Sequence, residues 1–110
     1  MVVQDNEFYK IKSLICQWIT ENTPFFNKNN IHIEIVLDTN EIYKVILQNE
    51  SAMAEIVIDQ PTFAPYRFVA FQMLFIDNEK PVFWYDKDGD DVTYIIATLS
   101  NNIEKMITNE

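Results

Sequence analysis

The chain contains one glycine, one cysteine, one histidine and one arginine in 110 residues. Each scarcity removes a class of function. With Gly89 alone there is no phosphate-cradling loop and no dinucleotide fingerprint, both of which need glycine where backbone approaches phosphate. Cys16 alone excludes an intrachain disulfide, which favours a reducing compartment. Cys16 and His32 together supply no ligand spacing for zinc. Basic residues are few: eight against seventeen acids, for a net charge of −9. No Lys/Arg cluster offsets the repulsion such a surface meets at nucleic acid or at an anionic membrane, so neither is expected as a partner. Long apolar runs are also missing. The longest uncharged, apolar-rich stretch covers residues 68–76, less than half of a membrane span. Residues 1–7 carry no basic region followed by an apolar core, so no secretory signal is read there. Asn49-Glu50-Ser51 matches a glycosylation sequon, a chance match without export. The expected location is the cytoplasm.

What is present describes a globular domain. Hydrophobic residues make up 48% and charged residues 23% of the chain, a balance that buries a core. The length predicts a single domain over 1–110, stable without disulfide or metal. No repeat is visible. Abundant Asn, Ile and Lys beside one Arg and one Gly point to an A+T-rich genome, a bacterium or its phage.

Residues 6–21 carry a helical stripe of Phe8, Ile11, Leu14, Ile15, Trp18 and Ile19, with Asp5 or Asn6 as cap. Pro24 is expected to block continuation, with a loop at Asn27-Lys28-Asn29-Asn30. The period then drops to two. Ile31, Ile33, Ile35 and Leu37 alternate with His32, Glu34, Val36 and Asp38 in a half-buried strand. Strands over 42–48 and 52–59 follow across short turns, with Tyr43, Val45, Leu47 and then Ala54, Ile56, Ile58 inward, as an antiparallel meander. Pro61 and Pro65 demand an irregular crossing. Residues 66–76 pair with 82–85 across Asp77-Asn78-Glu79-Lys80. Phe68, Phe71 and Phe75 also fit helical spacing, with Pro65 as an opener. Strand is preferred because the run is short, aromatic-rich and followed by a turn. Val92, Ile95, Ile96, Leu99, Ile103, Met106 and Ile107 form a final helical stripe capped by Asp90 or Asp91. The expected fold is α+β: a two-layer sandwich, α-β-β-β-β-β-α, with both helices on one face of a five-stranded antiparallel sheet.

Eight of the fifteen aromatic residues lie between Phe63 and Tyr85, in strands that read as apolar on both faces. Val69, Phe71, Met73, Phe75, Val82 and Trp84 can face the helices. The opposite face then carries Phe68, Ala70, Leu74, Phe83 and Tyr85, joined by Ile46 and Val36. Such a patch usually marks contact with another molecule. The competing reading folds the crossing, or Phe25 and Phe26, over it.

Chemistry-bearing motifs are weak. Asp86-Lys87-Asp88-Gly89-Asp90-Asp91 begins like a calcium loop, but Gly stands at its fourth position and Ala97 where a bidentate Glu is required. A turn ending in a helix cap is the preferred reading. His32 has no nucleophile placed with it, and Cys16 reads as a packing residue. Seventeen acids make some carboxylate pair inevitable, so pairing carries no catalytic signal. No catalytic residue, metal ligand or cofactor is assigned. Arg67, flanked by Tyr66 and Phe68, has the setting of a binding hot spot or of an edge-strand charge; Trp84 and Tyr85 are similar.

The order of elements (helix, three strands, crossing, two strands, helix) is similar to that of the small acidic chaperones of bacterial type III secretion. That resemblance implies a dimeric, non-enzymatic binding protein, by element order alone. The functional expectation is a stoichiometric protein-binding domain, as an immunity protein, inhibitor or secretion chaperone. Its contact surface would comprise Arg67, Phe68, Leu74, Phe83, Trp84 and Tyr85, ringed by Asp77, Glu79, Asp86 and Asp88, docking on a basic protein. Two alternatives are a homodimer joined through its sheet faces and a calcium-binding Asp-rich loop.

Overall fold

The computed structural model describes residues 6–60, 67–77, 80–87 and 89–108. Helix α1 (Asn6–Lys28) leads into strands β1 (His32–Asp38), β2 (Tyr43–Gln48), β3 (Ala52–Ile58), β4 (Val69–Phe75) and β5 (Val82–Tyr85), and helix α2 (Val92–Thr108) closes the fold. The strands form one antiparallel sheet in sequence order, β1-β2-β3-β4-β5. The expected α+β architecture is therefore observed, and residues 69–75 are strand rather than helix.

Alternation builds the helix-facing layer. Along β2, β3 and β4 every second side chain is buried, and these pack with Phe8, Ile11, Ile15, Ile19 and Phe26 of α1 and Ile95, Leu99, Ile103 and Met106 of α2 in one cluster. The Asn49 side chain joins sheet to helix. Its Oδ1 accepts from the amides of Ser51 and Ala52, and its Nδ2 donates to the Met106 carbonyl at 2.8 Å. Asp91 caps α2 by accepting from the Tyr94 amide at 2.8 Å. The crossing residues Pro61, Phe63 and Pro65, and the alternative cap Asp5, lie outside the described residues. The strands flanking the crossing pair directly, from Ala52↔Phe75 to Ile58↔Val69.

Two expectations are corrected. Helix α1 does not stop at Pro24; it runs through it to Lys28. A proline inside a helix costs about 3 kcal/mol. Continuing seats Phe26 in the core, edge-on to Trp18 at 6.1 Å, worth about 1.5–3 kcal/mol for burial and about 0.5–1.5 more for the ring pair. The end is then well closed. Asn30 takes a φ of 61°, the Ile31 amide donates to the Phe26 carbonyl at 2.8 Å, and Asn30 donates to Asn27 at 3.1 Å, a Schellman arrangement that satisfies the last carbonyls.

The second correction concerns β1, which is largely exposed rather than half-buried. Its register slips between Ile35 and Leu37, so Val36 is an extra residue. A bulge of this kind reverses the facing of everything beyond it. Leu37 pairs with outward Lys44, while Asp38 pairs with inward Tyr43 and forms an ion pair with Lys12 of α1 at 3.2 Å. Ile35 faces the helix side yet remains 54% exposed, because β1 is an edge strand.

Candidate functional site

The register fixes what stands on the face away from the helices. Three rows cross the sheet: His32, Gln48, Met53 and Leu74; then Glu34, Ile46, Glu55, Gln72 and Phe83; then Leu37, Lys44, Val57, Ala70 and Tyr85. No described element lies over them. Met53 and Leu74 are each 47% exposed and Phe83 is 64% exposed, large apolar groups held side by side on paired strands. The β-sheet pleat makes this placement rigid, since alternate residues must share a face.

Two hollows open on this surface, on either side of Phe83. The first, about 400 Å³, is lined by Ile46, Met53, Leu74 and Pro81 with Glu55, Gln72 and Phe83. The second, about 370 Å³, is lined by Val57, Ala70 and Tyr85 with Glu55, Gln72 and Phe83. Between them runs a polar seam. Lys44 and Glu55 form an ion pair at 3.2 Å, and Gln72 Nε2 donates to Glu55 Oε1 at 3.1 Å. The central charges of the face therefore cancel.

The residues expected at this site divide into two groups. Leu74, Phe83 and Tyr85 stand on the open face, with Ala70 and Ile46. Phe68 does not: it is only 4% exposed and its ring packs against Phe8 of α1 at 5.9 Å. It lies in a bend before β4, where strand alternation has not begun. Asp86 is likewise buried rather than part of an acidic rim. Its Oδ1 accepts from the backbone amides of Arg67, Phe68 and Val69 at 3.0, 2.9 and 2.9 Å, which is what turns the chain at that bend. Arg67 is engaged within the fold. It pairs with Glu7 through two bonds of 2.9 Å and its guanidinium sits 4.7 Å from the Phe68 ring. Trp84 points to the helix side and meets Tyr94 of α2 edge-on at 6.4 Å. Asp77 is exposed, while Asp88, Glu79, Asn78 and Tyr66 lie outside the described residues. Phe25 and Phe26 belong to the helix side and do not cover the sheet.

Met53, Val57 and Pro81 complete the patch, and exposed Ile76 extends it beside Met53 and Leu74; sequence reading missed all four. The signal was available for two of them. If Ala54, Ile56 and Ile58 point inward, Met53 and Val57 must point outward.

Elsewhere the polar groups serve the backbone. Within the Asp-rich string, Asp90 Oδ2 accepts from the Lys87 amide at 2.9 Å and closes a turn, Asp91 caps α2, and Asp86 holds the bend before β4. Among the described residues no group of three or more His, Cys, Asp or Glu side chains is placed to hold a metal ion. Cys16, Asp38 and Tyr43 lie together on the helix side of β1 and β2, lining one hollow. Burial pushes the Cys16 thiol above its ordinary 9.0, and the Asp38 carboxylate adds to this. Burial raises the Tyr43 phenol too, with Cys16 and Asp38 contributing. Both groups are thereby held neutral, the opposite of what activates a nucleophile. No helix among the described residues is long and apolar enough to cross a membrane.

No family model, curated protein or solved structure matches this chain.

Proposed function

We propose that this chain is a small bacterial, cytoplasmic protein-binding domain without enzymatic activity, of immunity, inhibitor or secretion-chaperone type. It acts by stoichiometric association, with the uncovered sheet face as its protein contact surface. The observation that carries the reading is the side-by-side exposure of Met53, Leu74 and Phe83 on a rigid sheet. Exposed apolar patches of this kind mark contact sites, and aromatic and Met side chains are enriched in interface centres. The net charge of −9 supports a basic protein as the eventual partner, drawn in by the acidic exterior.

A photo-reactive phenylalanine at position 83 tests the contact surface in the source cell, with the same group at exposed Gln17 of α1 as control. A single defined protein captured from position 83 and absent from position 17 is the expected result. Equal capture of the same mixture at both positions would overturn the proposal.

A further inference from the structure

Phe83 stands between two hollows that it helps to wall, and the larger has room for a ring of its own size. Phenyl knob and apolar hollow therefore lie on the same face, displaced from each other across the sheet. A surface that carries both halves of a fit closes on itself under a two-fold operation, which is the requirement of an isologous dimer. We infer that the open face is covered by a second copy of this chain, each Phe83 seated among Ile46, Met53, Leu74 and Pro81 of its partner. This rests on the reading of the face as a contact surface and names its occupant.

Two further observations favour a second copy over a basic protein at this face. The first is charge. Lys44 neutralises Glu55 within the face, so a basic partner gains little Coulomb attraction at the centre, while a second copy meets no stack of like charge there. The acids that give the chain its −9 are mostly elsewhere, and the exterior of the dimer remains available to a basic partner. The second is area. Five strands at about 4.8 Å spacing and three outward rows span roughly 24 by 20 Å, on the order of 500 Å² in projection. Because accessible area exceeds projection on a knobbed surface, this approaches the roughly 800 Å² per partner of a standard interface.

The sign of the salt effect separates the two occupants. Two bodies of like charge repel outside the contact, and salt screens this over about 8 Å at physiological strength. Self-association should strengthen as salt rises, whereas docking of a basic protein should weaken. Sedimentation of the purified chain from low to high micromolar concentration, at low and high salt, is the measurement. The expected result is a monomer–dimer equilibrium tightened by salt and weakened about a hundredfold or more by Phe83→Lys, since a two-fold contact carries the change twice. Met53→Lys, on the rim of the hollow, gives the same loss independently, and circular-dichroism melting confirms that each variant folds. Mixing Phe83→Lys with Leu74→Glu should restore a heterodimer. A chain monomeric throughout, a dimer weakened by salt, or a dimer indifferent to both lysine variants would overturn the inference. If the chain is monomeric yet position 83 captures one different protein in the cell, the occupant is wrong and the contact surface stands. If neither dimer nor capture is seen, both fall.

Discussion

The Asp86 carboxylate and the Phe68 amide form a 2.9 Å hydrogen bond in the protein interior, and this contact decides how the last hairpin is presented. By gathering three successive amides onto one oxygen, Asp86 bends the chain before β4. Phe68 is thereby turned under α1 and removed from the sheet face, while Leu74 and Phe83 stay on it.

Removing that acceptor should be costly. Asp86→Ala leaves the Phe68 and Val69 amides buried without a partner, and a loss of about 2–6 kcal/mol is expected at about 1–3 kcal/mol per unmet group. Asp86→Asn keeps an acceptor oxygen and should lose less. Urea denaturation of both variants checks the ranking; equal stability of Asp86→Ala and the parent would contradict the account.

Neighbouring phenylalanines in α1 should behave oppositely. Phe26→Ala empties a core position and is expected to cost about 3–5 kcal/mol. Phe25→Ala alters an exposed ring and should stay within about 0.5 kcal/mol. The same denaturation curves measure both. Comparable losses would mean that α1 does not continue through Pro24 as found.

Arg67→Ala should affect the fold modestly and association not at all. Its bidentate pair with Glu7 is partly exposed, and exposed pairs contribute about 0–1 kcal/mol, with a similar increment from the guanidinium over Phe68. Thermal melting together with sedimentation distinguishes this from an interface role.

Alkaline pH should unfold the protein through Cys16 and Tyr43. Both have folded pKa values raised above their ordinary 9.0 and 10.0. In the unfolded chain they ionise first, so the stabilisation is complete below about pH 9 and declines as pH climbs towards the folded values. Tyr43→Phe should flatten the upper part of this decline, and Cys16→Ala its onset. Stability curves from pH 7 upward, measured in denaturant, provide the check.

The elements with one strong period were legible in the sequence. The α2 stripe from Val92 to Ile107 and the alternation along β2, β3 and β4 fixed the fold class and which side of Leu74, Phe83 and Tyr85 met solvent. What escaped was local and energetic. Ile35-Val36-Leu37 is apolar at either parity, so nothing in the letters reveals the bulge that reverses Leu37 and Asp38. Pro24 reads as a stop unless the burial of Phe26 is already known. Asp86 reads as the first of several acids, because its role depends on amides of residues 67–69 arriving from a different part of the chain. Phe68 reads as a surface residue for the same reason, since its partner Phe8 is sixty residues away; Arg67 is partly exposed, and what the letters do not reveal is its equally distant pair with Glu7.

The most direct measurement is hydroxyl-radical labelling of Met53 and Met73, which have the same chemistry on adjacent strands and face opposite sides of the sheet. In dilute protein, Met53 should be labelled readily and Met73 hardly at all; as concentration rises, Met53 and Phe83 should become protected together. Met53 as silent as Met73 in the dilute sample, or unchanged labelling across the concentration range in which the protein associates, would contradict an open face that closes on another protein.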